Sequence, residues 1–169
     1  MKEIEIKLKY NDEKAFRDKL KTLKAKVTQT YEIIDCYYAK EGENMKNAQN
    51  LLRVRTKKEE SELTFKGKRE TESDVWERVE INVPIQKPEN MGRILNEIGF
   101  KLIRKNRTVR EYFLLKNTEI VIVKIIEPAK INFVEIEGKT AESVGKVAGL
   151  FKGVLEPIGD DYFSAMDNL

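Results

Sequence analysis

The stretch Lys2-Glu3-Ile4-Glu5-Ile6-Lys7-Leu8-Lys9-Tyr10 alternates charged and apolar residues at every step. Successive side chains of a β-strand point to opposite faces. A strand over 1–10 therefore carries Ile4, Ile6, Leu8 and Tyr10 on one side and Glu3, Glu5, Lys7 and Lys9 on the other. One such strand is ordinary, because a half-buried sheet shows its charged side to water. The recurrence of the pattern decides the fold. Leu51–Lys57 sets Arg53, Arg55 and Lys57 against Leu52 and Val54, and 62–68 sets Thr64, Lys66 and Lys68 against Leu63 and Phe65. In 75–85, Trp76, Arg78, Glu80 and Asn82 share a face. In 130–139, Phe133, Glu135 and Glu137 oppose Val134 and Ile136.

Between these runs the sequence predicts further strands over 27–39, over 100–116, which contains Lys105-Asn106-Arg107, and over 119–126, which is nearly all apolar until Lys124. Helical spacing places Phe16, Leu20 and Leu23 on one stripe after an Asn11-Asp12 cap. A second helix begins at Pro88, with Met91, Ile94, Leu95 and Ile98 as its stripe and Gly99 as its stop. A third is expected over 141–155 with Val144, Val147, Ala148 and Phe151 inward, and a short terminal helix through Tyr162, Phe163 and Met166. No repeat or linker divides residues 1–169, so the sequence predicts a single domain.

Composition narrows the chemistry. Charged residues make up 36% of the chain, yet 32 basic and 29 acidic residues leave a net charge of only +3. That balance argues against a polyanion-coating or nucleic-acid-binding surface. The chain has no histidine, which excludes every imidazole-based mechanism, and Cys36 is its only cysteine, so no disulfide forms within it. A reducing, cytoplasmic setting is expected, with no signal peptide and no membrane span.

Amphipathic helices must cover the apolar faces of the strands, which leaves the charged faces together on the other side. Closing the sheet into a barrel removes its edges and turns that side into a polar tunnel. Its lining would be Glu3, Glu5, Lys7, Arg53, Arg55, Lys66, Arg78, Glu80, Lys105, Arg107, Glu135 and Glu137. Buried charges must be compensated. Two arrangements do this: a lattice of internal salt bridges, or carboxylates holding divalent metal beside an Arg/Lys cradle for a polyanion. Carboxylates without His or Cys suit hard ions such as Mg²⁺ or Mn²⁺, and clustered arginines suit phosphates.

Glu3-Ile4-Glu5-Ile6-Lys7 resembles the ExExK signature of the CYTH family, the triphosphate tunnel metalloenzymes. The order of the other motifs agrees: Leu52-Arg53-Val54-Arg55, Leu63-Thr64-Phe65-Lys66-Gly67, Arg78-Val79-Glu80, Lys105-Asn106-Arg107 and Phe133-Val134-Glu135-Ile136-Glu137. The resemblance implies an α+β fold, an eight-stranded antiparallel β-barrel with helices outside. It implies Glu3, Glu5, Glu80, Glu135 and Glu137 as ligands of Mg²⁺ or Mn²⁺. Lys7, Arg53, Arg55, Lys66, Lys105 and Arg107 would cradle the triphosphate with Arg78 in support, and Glu3, Glu5 and Lys7 would be catalytic. Members act on tripolyphosphate, thiamine triphosphate or ATP, as triphosphatases or class IV adenylyl cyclases. Hydrolysis is expected first, cyclisation of ATP or non-catalytic binding second, and a homodimer is left open. One departure stands out: Lys124 occupies roughly the place of an Asp in the family pattern, and the Leu-Gly turn after it is absent. The expectation is that Lys124 points inward and weakens a metal site.

Overall fold

Among the described residues, ten strands and three helices follow one another: β1 (Lys2–Tyr10), α1 (Glu13–Thr22), β2 (Lys26–Lys40), β3 (Leu51–Lys57), β4 (Glu60–Lys66), β5 (Glu70–Thr71), β6 (Trp76–Ile85), α2 (Pro88–Glu97), β7 (Phe100–Leu115), β8 (Thr118–Glu127), β9 (Ile131–Gly138), α3 (Ala141–Gly149) and β10 (Leu155–Pro157). The computed structural model describes residues 2–45, 47–48, 50–67, 70–71 and 76–158, without the side chains of 2, 3, 70, 71 and 76–78. The terminal helix expected at 160–166 lies outside the described residues.

All strand pairings are antiparallel and run in the order β1-β9-β8-β7-β2-β3-β4-β6. β1 meets β9 along one edge, with Ile6 opposite Ile136, and β6 along the other, with Glu3 opposite Arg78. That second pairing brings the two ends of the sheet together as an eight-stranded barrel. β5 and β10 are short additions to β6 and β1.

The outer faces are apolar where helices cover them. Ile4, Ile6 and Leu8 join Ile120, Ile122, Val134 and Ile136 beneath Phe16 and Leu20 of α1 and Val144 and Val147 of α3. Asp12 starts α1 by accepting from the backbone N–H of Lys14 at 2.8 Å and of Ala15 at 3.1 Å, which satisfies two donors the helix cannot. Leu95 of α2 packs on Tyr38 and Val54. That approach depends on Gly92, where a Cβ would lie 2.6 Å from Tyr38 Oη. Gly99, at φ +90°, ends the segment in the left-handed region that favours glycine.

The third helix is shorter than expected. It stops at Gly149, and the chain turns through Gly153 (φ +82°) so that Leu155 pairs with Tyr10 as β10. Two glycines in five residues weaken a helix, and the edge of β1 offers Leu155 a ladder instead.

Candidate active site

Directly opposed residues in an antiparallel pair share a face, so the register traces the barrel's inner wall. Lys7 lies opposite Glu135, Glu5 opposite Glu137, Asp35 opposite Arg55, Arg53 opposite Thr64, and Lys66 opposite Glu80. On β7 the inner positions are Arg104, Asn106, Thr108, Arg110 and Tyr112, because these face Tyr37, Asp35, Ile33, Tyr31 and Gln29 of β2.

Inside, the charges form pairs. Lys7 Nζ donates to Glu5 Oε2 at 3.0 Å and to Glu135 Oε1 at 2.6 Å, and Arg110 Nη1 donates to the other Glu135 oxygen at 2.6 Å. Arg55 grips Asp35 through Nε at 2.7 Å and Nη2 at 2.8 Å. Arg53 Nη2 reaches Thr64 Oγ1 at 3.0 Å, and Lys66 is ion-paired with Glu80. Burial alone would raise the Glu135 pKa, but the Arg110 and Lys7 cations outweigh it and hold the carboxylate well below its ordinary range. Burial likewise opposes the Lys7 ammonium, and Glu135 with Glu5 more than restores it, leaving its pKa raised. Asp35 is held low by Arg55, Arg53 and Arg110 against its own burial. Among the described residues these lumen charges pair with one another in a lattice of internal salt bridges.

Most sequence-predicted residues meet here. Glu5, Lys7, Arg53, Arg55, Lys66, Glu80 and Glu135 share the lumen, with Glu137 on the same face at a more exposed position. Glu3 and Arg78 are register partners on inward positions of β1 and β6, but their side chains lie outside the described residues. Lys105 and Arg107 do not join them. Lys105 is exposed, and Arg107 is 43% exposed and pairs with Glu32 at 2.6 Å on the outer face. Both belong to the outward phase of β7, so the cations that strand sends inward are Arg104 and Arg110.

Lys124 also faces outward. It is opposite Val109 and binds Glu13 of α1 at 2.8 Å, while Val121, Val123 and Ile125 turn inward with Phe133 as an apolar section of the wall. The expected phase of β8 is therefore reversed: Ile120 and Ile122, not Val121 and Val123, lie under the helices. Several charged lumen residues, Arg104 among them, escaped the sequence reading. Arg110 was hidden by the wrong phase for β7, Glu119 by the same error on β8, and Asp35 is a lone acid in an apolar run. A carboxylate so placed needs a cation beside it, which was the available signal.

The donor set suits a hard divalent ion. Glu5, Glu137 and Glu119 occupy one cross-strand row over β1, β9 and β8, and like charges in such positions repel unless a cation sits between them. Burial and the neighbouring Glu135 raise the pKa of Glu119 against the opposing Arg110 cation. All these donors are oxygens. Among the described residues no three acidic side chains converge closely enough to hold a metal, and the ammonium of Lys7 stands between Glu5 and Glu135.

Comparison with known proteins gives a consistent picture. The CYTH domain family matches residues 1–152. A Methanocaldococcus jannaschii protein provisionally assigned as an adenylate cyclase is 29% identical over 122 residues, covering 72% of this chain and 69% of its own. Among solved structures, the PH1012 protein of Pyrococcus horikoshii is 24% identical with a TM-score of 0.74, covering 93% of this chain and 96% of that one. The Hippeastrum protein HpAC1, provisionally an adenylyl cyclase and described as having a dominant triphosphatase activity, is 19% identical with a TM-score of 0.72, covering 98% and 95%. At these identities the structural likenesses speak for the fold, and the family match speaks for descent. With its barrel, its inward ExExK strand and a match over nine-tenths of its length, the chain belongs to the CYTH domain family.

Proposed function

We propose that this protein binds a triphosphate in the lumen of the barrel and hydrolyses it with the help of Mg²⁺ or Mn²⁺. The carrying observation is the gathering of Arg53, Arg55, Lys66, Arg110 and Lys7 on one enclosed wall, each within hydrogen-bond or ion-pair reach of a carboxylate. A linear triphosphate carries several negative charges on a chain of tetrahedral groups. A concave wall with three arginines matches it better than any flat surface would.

The chain's own residues would divide the work. Arg53, Arg55 and Arg110 would hold phosphate oxygens through guanidinium N–H groups, and Lys7 and Lys66 would add point charges. Glu5 and Glu137, with Glu3 on the same face of β1, would hold the divalent ion. Bound there, that ion would neutralise charge on the phosphate oxygens and favour attack by water at the terminal phosphorus. The enclosed wall fixes the phosphorus and its surrounding charge, so catalysis rests on positioning and electrostatics rather than on a covalent intermediate. Cyclisation of ATP is the second reading, supported by the adenylate cyclase names of relatives; it demands a seat for adenine in addition to the triphosphate cradle.

A turnover screen separates these readings. Tripolyphosphate, thiamine triphosphate and ATP are each incubated with Mg²⁺ or Mn²⁺, and phosphate, pyrophosphate and cyclic AMP are quantified separately. Phosphate release that stops with EDTA is the expected result. Cyclic AMP with pyrophosphate selects the cyclase, and undiminished turnover in EDTA removes the metal from the mechanism.

A further inference from the structure

Asp35 is 1% exposed, the most enclosed carboxylate among the described residues. It is the cross-strand partner of Arg55, and both of its oxygens accept from that guanidinium, Oδ1 from Nε at 2.7 Å and Oδ2 from Nη2 at 2.8 Å. Arg53 is its second cationic neighbour: Nε lies 4.0 Å from Oδ1 and makes no hydrogen bond. The two-point grip fixes the guanidinium plane, which a single contact would leave free to swing. It uses two of the five N–H donors of Arg55 and leaves three. An aspartate is short, so its carboxylate stays against the barrel wall while the longer arginine reaches past it.

We propose that Asp35 is a positioning residue, holding Arg55 from behind so that it presents its remaining N–H groups to a phosphate in the lumen. The inference rests on the triphosphate reading above and adds a role for a residue that touches no substrate. A rival physical account treats Asp35 as a resident anion that occupies the arginines until a ligand displaces it. The two accounts predict opposite signs. Removing the charge of a competitor tightens the binding of an anion, and removing a positioning group loosens it.

Tripolyphosphate binding is measured by calorimetry on the wild type, Asp35→Asn, Arg55→Ala and the double variant. Positioning requires that Asp35→Asn weaken binding by about tenfold or more, although it makes the lumen more positive. It also requires that the same change cost less than about twofold once Arg55 is already alanine, since coupled residues give non-additive losses. Tighter binding by Asp35→Asn, or equal losses in both backgrounds, overturns the inference while leaving triphosphate binding intact. If Asp35→Asn fails to fold, Arg55→Lys decides: it keeps the charge beside Asp35 but loses the planar fork. A similar tenfold loss supports positioning, and wild-type affinity overturns it. A wild-type protein that binds no tripolyphosphate, thiamine triphosphate or ATP sinks the functional reading first and this inference with it.

Discussion

Glu135 accepts from Lys7 at one oxygen and from Arg110 at the other, both at 2.6 Å. Its depressed pKa makes it a contributor to stability with a definite sign. A carboxylate whose pKa is lower in the fold than in the unfolded chain stabilises the fold above its ordinary range, and that contribution is lost as the pH falls below it. Asp35 acts in the same direction. Thermal melts should therefore show a midpoint that is steady from pH 7 to about 5 and falls steeply below about pH 4. Glu135→Gln should melt lower at pH 7 and lose part of the acid-dependent drop; a parallel pair of curves would rule out Glu135 as a source of it. Lys124 makes a contrasting case. Its ammonium is 38% exposed and its partner Glu13 is 34% exposed, so the pair lies in the range worth up to about 1 kcal/mol. Lys124→Asp should leave Mn²⁺ affinity and turnover at wild-type levels and lower stability slightly. An increase in metal affinity would return that residue to the lumen.

At the scale of elements, strand phase separates what was legible in the sequence from what was not. β1 alternates without exception, and Ile4, Ile6 and Leu8 lie on the outer core as its pattern requires. β3, β4 and β9 follow for the same reason: one face of each is apolar. β8 is apolar on both faces because its inner side meets Phe133 and its outer side meets two helices, so alternation carried no phase there. β7 failed in the opposite way. It is charged on both faces, with Arg104 and Arg110 inward and Lys105, Arg107 and Glu111 outward, and Glu111 is bound to Arg17 of α1 at 2.7 Å. A one-residue slip exchanges the two sets, and only the pairing with β2 resolves it. The consequence is testable. Arg107→Ala should bind tripolyphosphate within about twofold of wild type, whereas Arg110→Lys, which keeps the charge but not the bidentate fork, should lose about tenfold. The reverse ranking would show that the outer strand face is the binding face.

For the whole molecule, closure matters more than any single pair. β1 completes the barrel by meeting β9 and β6 with opposite edges, and it carries Glu5 and Lys7 inward in doing so. The strand that seals the barrel is also the one that furnishes it, so a change that loosens β1 acts on both stability and the lumen.

The pairing of lumen cations with the protein's own carboxylates has a consequence for ionic strength. A basic groove open to solvent gathers mobile salt ions, and an incoming polyanion gains free energy by releasing them. In this barrel the counterions of Lys7, Arg55 and Arg110 are Glu5, Glu135 and Asp35, which are tethered to the backbone and cannot diffuse away. The lumen therefore resembles an ion exchanger loaded with immobile anions: a triphosphate swaps partners inside it rather than expelling salt from it. Affinity measured across a series of salt concentrations at fixed free metal should fall with a logarithmic slope well below the number of cations engaged. A slope equal to that number would mean that the lattice opens to bulk electrolyte before the ligand arrives.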